Sequence, residues 1–167
     1  MNKSLPTFLT FLLLIPLSGA AGLAQSESEP VNGGVFAGAG GAFDFDRESS
    51  DLFLHTGGVL EIPLQPKLSV TGNLGFVANV SDNDAFDNRS LMAELGGRYF
   101  LSGRRLRPFV NTGYSFADGE VASHHALFIG AGVRHWYGPN IGWQIEARDR
   151  ISGDLNLFEV TLSVLLR

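Results

Sequence analysis

The sequence predicts an all-β chain: an eight-stranded antiparallel up-and-down transmembrane β-barrel. Three observations carry that expectation. From Gly33 onward apolar and polar residues alternate with a period of two, and no sustained 3.6-residue pattern interrupts them. The alternation falls into eight segments, each reaching the roughly 9–11 residues that a tilted membrane-crossing strand needs. The connections also alternate, short turns with Pro or Gly at one end and polar, mostly acidic loops at the other.

The N-terminus is a different text. Lys3 is the only charge before Glu27, an apolar run extends from Phe8 to Leu17, and small residues lead to Gly22-Leu23-Ala24. A short positive region, an apolar core and a small-x-small site make a secretory signal over residues 1–24, cleaved after Ala24. The run is too short to span a bilayer comfortably. Residues 25–32 (QSESEPVN) are polar and acidic and read as a flexible leader before a barrel domain at 33–167.

The strands follow in order. GGVFAGAGGAFDF (33–45) places Val35, Ala37, Ala39, Phe43 and Phe45 on one face. LFLHTGGVLEI (52–62) aligns Leu52, Leu54, Leu60 and Ile62, and LSVTGNLGFVANV (68–80) aligns Leu68, Val70, Leu74, Phe76, Ala78 and Val80 against Ser69, Thr71, Asn73 and Asn79. Further segments lie at 90–101, 108–117, 125–136, 141–151 and 156–166. PLQPK (63–67), SGRRLR (102–107) and YGPN (137–140) supply the short turns; 46–51, 81–89, 118–123 and 152–155 supply the loops. In the last hairpin, Gly153-Asp154 suits a two-residue turn with glycine first. Counting outward sets Ile145 opposite Leu162, Trp143 opposite Val164, Ile141 opposite Leu166 and Arg148 opposite Glu159.

The residues out of phase with the apolar rows decide which side faces lipid. Glu61, Glu94, Arg98, Arg134, Gln144, Glu146, Arg148 and Glu159 share their face with Gly38, Gly40, Gly57, Gly75, Gly96, Gly113, Gly130 and Gly132. A narrow lumen needs small residues to make room for a few large charged ones. Buried charges survive when paired, so Glu61, Glu94, Arg98, Arg134, Glu146, Arg148 and Glu159 form an expected lumenal network, with Arg148 and Glu159 as one of its ion pairs. The alternative is a soluble, secreted or periplasmic barrel with its apolar face inward around a small ligand and these charges in solvent. The aromatics sort by height. Phe43, Phe45, Tyr114, Phe116 and Phe158 fall near one rim and Tyr99, Tyr137 and Trp143 near the other, as two belts at the headgroup levels.

A formal charge of −5 gives no basic surface for nucleic acid, and the absence of cysteine excludes a disulfide scaffold and a lipid-modified N-terminus. Chemistry is sparse. His124 and His125 are adjacent on a strand and point to opposite faces, a poor chelating pair. Asp82, Asp84 and Asp87 resemble part of a calcium loop without its glycine or closing glutamate, so a solvated loop is expected. No metal and no cofactor are expected.

With its secretory signal, eight strands, alternating turns and loops, and the final hairpin IEARDRISGDLNLFEVTLSVLLR (145–167), the chain resembles the small bacterial outer-membrane β-barrels of the OmpA/OmpX type. Members commonly end on an aromatic residue read by the barrel-assembly machinery; here the end is Leu165-Leu166-Arg167. The resemblance implies residence in the outer membrane of a Gram-negative-type bacterium. It implies contact with the lipid bilayer and lipopolysaccharide, and insertion by the assembly machinery. It also implies a structural or surface-interaction role, without catalysis, through the loops. A weaker alternative is a lipid A-modifying enzyme, which in similar barrels uses a His and a Ser two apart on the lipid face. Here His135 is followed at that spacing by Tyr137, which cannot replace the nucleophile.

Overall fold

The computed structural model describes residues 30–44, 49–80, 89–101, 106–119, 123–153 and 155–167. Strands follow in chain order: β1 (Asn32–Asp44), β2 (Ser49–Gln65), β3 (Leu68–Asn79), β4 (Arg89–Phe100), β5 (Leu106–Gly119), β6 (Ser123–Trp136), β7 (Ile141–Ser152) and β8 (Leu155–Leu166). Each pairs antiparallel with its sequence neighbours. β1 also pairs with β8, from Gly33 opposite Leu166 to Asp44 opposite Leu155, and the sheet closes. Closure is what lipid demands, because an open strand edge would leave backbone N–H and C=O groups without partners.

The strands alternate between a buried and an exposed face, as β7 shows residue by residue. The apolar rows face outward. Leu52, Leu54, Leu60, Leu74, Phe76, Leu127, Ile129 and Leu162 are each 50–68% exposed. An apolar belt around the whole molecule has no place in water; against acyl chains it is the ordinary outer surface of a membrane barrel. The soluble barrel with an apolar interior is thereby overturned, since the inward face carries the charges.

The final hairpin has the register expected from its turn: Ile145 with Leu162, Trp143 with Val164, Ile141 with Leu166 and Arg148 with Glu159. Gly153 adopts φ +44°, the left-handed region in which a side chain is costly. The strands run past their apolar stretches. Ser49–Asp51, Asp118, Gly119 and Ser123, placed in loops by the sequence reading, lie in strands, because ladder hydrogen bonds continue after the lipid-facing row has stopped. Likewise Asn32, placed in the leader, opens β1 opposite Glu61. At the other end of β2 the register slips between Pro63 and Gln65, where proline has no N–H to give the ladder.

Both ends of the barrel wall and the short connections β2–β3, β4–β5 and β6–β7 share one end of the molecule, here called the short-turn end. The connections β1–β2, β3–β4, β5–β6 and β7–β8 share the other, the loop end.

Candidate functional site: the barrel lumen and its rims

Inward phase gathers the charged residues in the lumen. On β7 every second residue points inward, so Gln144, Glu146, Arg148 and Arg150 form a column. Glu61 and His55 come from β2, Glu94 and Arg98 from β4, Arg134 from β6 and Glu159 from β8, and all are buried. They join in one chain of alternating sign. Arg134 donates to Glu61 through Nη1 and Nη2, each at 2.7 Å. Arg98 then bridges Glu61 at 2.5 Å and Glu146 at 2.9 Å. Arg148 bridges Glu146 and Glu94. Arg150 continues the chain, with Nε 2.7 Å from Glu94 and Nη2 2.5 Å from Glu159. The last contact is a close ion pair without hydrogen-bond alignment. His55 Nδ1 ends the chain 2.8 Å from the other Glu159 oxygen.

This ladder corrects one expected pair. Arg148 stands opposite Glu159 in register, yet its guanidinium serves Glu146 and Glu94, while Glu159 serves Arg150 and His55. The reason is reach. An extended guanidinium spans more than the roughly 4.8 Å between neighbouring strands, so it crosses the lumen to β4. Four guanidiniums face four carboxylates, so the ladder is formally neutral. Neutral groups complete the shells: Asn73 and Asn111 donate to Glu94 and Glu146 at 2.8 Å, and Gln144 accepts from Arg134.

Apolar layers bound the ladder. Toward the loop end, Ala42, Phe53, Val77, Met92, Ala117 and Leu157 pack together. Toward the short-turn end, Phe36, Val59 and Leu165 pack with Trp136. Aromatic faces also receive the cations: Arg98 lies 4.3 Å from the Phe109 centroid, Arg148 4.8 Å from Phe128 and Arg134 4.9 Å from Phe100. A cavity between Phe36, Val59, Arg98, Glu146 and Arg148 measures about 10 Å³, room for one water at most. Inward glycines provide the clearance. A Cβ on Gly132 would stand 2.5 Å from the Phe109 ring, and one on Gly75 would stand 2.7 Å from His55 Nε2.

Sequence reasoning missed Arg150, His55 and the inward aromatics. The signal was present for each. Arg150 continues the 146–148 phase, and His55 and Phe53 are out of phase with Leu52 and Leu54.

Outside, the aromatics expected in the two belts differ in exposure. Phe43, Tyr114 and Phe158 are exposed and Phe116 half-buried toward the loop end; Tyr99 and Tyr137 are exposed and Trp143 half-buried toward the short-turn end. Phe45 is outside the described residues, as are Asp82, Asp84 and Asp87. His125 is exposed, bonds the Tyr114 hydroxyl and packs on Phe116. His135 is edge-on to Tyr137 and tilted over Trp143 at the short-turn end. Among the described residues no group of three potential metal ligands comes together.

The barrel superposes on solved structures of small outer-membrane barrels. It matches Neisserial surface protein A with a TM-score of 0.69 at 11% identity, over 81% of this chain and 96% of that one. The N-terminal β-barrel domain of Pseudomonas aeruginosa OprF matches at 0.58 and 14% identity, over 84% and 98%. Ail, the attachment invasion locus protein of Yersinia pestis, matches at 0.52 and 11%, over 83% and 98%. At these identities the likeness is one of fold. No curated protein matches the sequence. The family model of the outer membrane protein beta-barrel domain matches residues 10–167. A closed eight-stranded barrel, apolar outside and ion-paired within, and matched by that model along almost its whole length, is an outer-membrane protein, and the chain belongs to the outer membrane protein beta-barrel domain family.

Proposed function

We propose that the chain is a monomeric, non-catalytic outer-membrane barrel that holds surface loops in place and works through them, as a structural or surface-interaction protein. The observation that carries this is the lumen. Among the described residues ion pairs and two apolar layers occupy it, and the cavity beside Arg98 and Arg148 measures only about 10 Å³. The loop end then remains as the surface for partners. The short-turn end faces the periplasm in this reading, and residues 1–24 are removed as a signal after Ala24. The bilayer and lipopolysaccharide surround the wall, and the barrel-assembly machinery inserts it, with the alternating row ending at Leu166 in place of a terminal aromatic. Two barrels of the same fold carry names that speak of surface and attachment, which agrees with this reading.

The test is gel mobility of the mature protein folded into micelles, unboiled against boiled, with single-channel recording in planar bilayers and labelling of a tag placed within 81–88 on intact cells. The expected result is a heat-dependent shift, no steady current and a labelled tag. Solubility in plain buffer without a shift, or unitary currents, would overturn the reading.

A further inference from the structure

The two ends of the barrel differ in charge. Among the described residues at the short-turn end, the charged side chains outside the lumenal ladder are Lys67, Arg107 and Arg167, all positive. The β4–β5 connection adds Arg104 and Arg105, outside the described residues, as are Glu27 and Glu29 ahead of β1. The loop end carries Asp44, Asp51, Asp118 and Asp149 on its strands. Its connections add Asp46, Glu48, Asp82, Asp84, Asp87, Glu120 and Asp154 against one arginine, Arg47, with Arg89 at the start of β4.

The cations of the short-turn end are positioned. Arg107 donates to the Pro66 carbonyl at 2.8 Å and lies 4.3 Å from the Phe100 ring centroid, tying the β5 edge to the β2–β3 turn. Arg167 lies 3.9 Å from the Trp136 centroid while its backbone N–H donates to Asn140 at 3.1 Å, tying the end of β8 to the β6–β7 turn. Lys67 is exposed in the β2–β3 turn. At the same level, Tyr99, Tyr137 and Trp143 face outward. Amphipathic rings settle at the depth of lipid headgroups, so these cations stand at phosphate depth, where fixed positive charge attracts anionic lipid.

We propose that the short-turn rim is a docking surface for anionic phospholipid headgroups, its positive charge supplied by Lys67 in the β2–β3 turn and by Arg107 and Arg167 over the inward rings Phe100 and Trp136 at the mouth. The rings at the same depth favour a lipid over a soluble polyanion. The proposal needs the barrel to cross a bilayer and is independent of what the loops bind.

The protein carries its own reporter. Its two tryptophans, Trp136 and Trp143, both sit at this rim. The mature barrel is reconstituted in phosphatidylcholine vesicles containing brominated phosphatidylglycerol, or brominated phosphatidylcholine at the same mole fraction, and tryptophan quenching gives their relative binding constants. A several-fold preference for phosphatidylglycerol is expected in low salt. It should fall toward one near 1 M salt, where screening acts over about 3 Å, and in the Lys67→Gln/Arg107→Gln/Arg167→Gln variant. If that variant does not fold, Lys67→Gln alone, a change in an exposed turn, should lower the preference. A relative constant of one in low salt overturns the proposal, as does a preference that neither salt nor substitution changes. Tryptophan emission that responds to added polyphosphate, without any lipid preference, overturns it in favour of a soluble polyanion.

Discussion

Arg148 and Glu159 face each other across the β7–β8 ladder, and each finds its ion-pair partners elsewhere: Arg148 in Glu146 and Glu94, Glu159 in Arg150 and His55. Every interior member of the lumenal chain thus joins two others, and only its ends, Arg134 and His55, have a single charged partner. Removing one partner from a buried pair costs about 3–5 kcal/mol, because the charge left behind is uncompensated. Arg148→Ala, stranding Glu94 and Glu146, should lower the unfolding free energy by that order, read as a lower urea midpoint. A double-mutant cycle separates the partners. Arg148 with Glu146 should couple by about 1 kcal/mol or more, and Arg148 with Glu159, which share the network without touching, by clearly less. Equal couplings would show that register, and not the ladder, sets the pairing.

The glycines divide by face. A Cβ on Gly132 would fall 2.3 Å from the Ile145 carbonyl oxygen and 2.5 Å from the Phe109 ring, whereas one on Gly97 meets nothing within 4 Å. Gly132→Ala should therefore cost about 1–3 kcal/mol through overpacking. Gly97→Ala should be neutral, or stabilise by about 0.4–1 kcal/mol through the unfolded chain. Equilibrium unfolding from the same vesicles measures both.

The lipid face makes a third prediction. Leu162 is 55% exposed and sits mid-strand between Ala37 and Ile145. Leu162→Arg should destabilise the folded barrel by about 2–4 kcal/mol in a bilayer. If the protein tolerated it as readily as a polar surface substitution, this face would not be meeting acyl chains.

The β7–β8 turn makes a fourth. Gly153 holds φ +44°, and an L-side chain there costs roughly 1–2 kcal/mol. Gly153→Ala should show that loss by urea titration, and Gly153→Asn a smaller one, since asparagine tolerates this region.

The wall of this barrel was legible because its pattern is local. A strand that is greasy on one face and polar on the other declares its phase every two residues, and the Gly153 turn then sets the β7–β8 register by counting. The ladder was legible in membership and illegible in connection. Phase alone puts Glu61, Glu94 and Arg98 inside. Which carboxylate Arg98 reaches depends on which strands face each other across the closed lumen, and Glu146 lies 48 residues away from it in sequence. The inward aromatics were passed over because an aromatic in a strand is unremarkable; only their phase, opposite to neighbours such as Leu52 and Leu54, marks them as interior.

The seam between β1 and β8 sets an order in time. Gly33 cannot satisfy its backbone until Leu166 exists to meet it, so the first strand made waits for the last. A ribosome that stalls before β8 releases a sheet with two raw edges, which the bilayer will not accept. Until β8 is made, the apolar rows and strand edges stand exposed, the features that make an unfinished sheet prone to aggregate. The contact that completes the wall therefore joins the two most distant strands of the sequence, and the sheet is whole only when both are present.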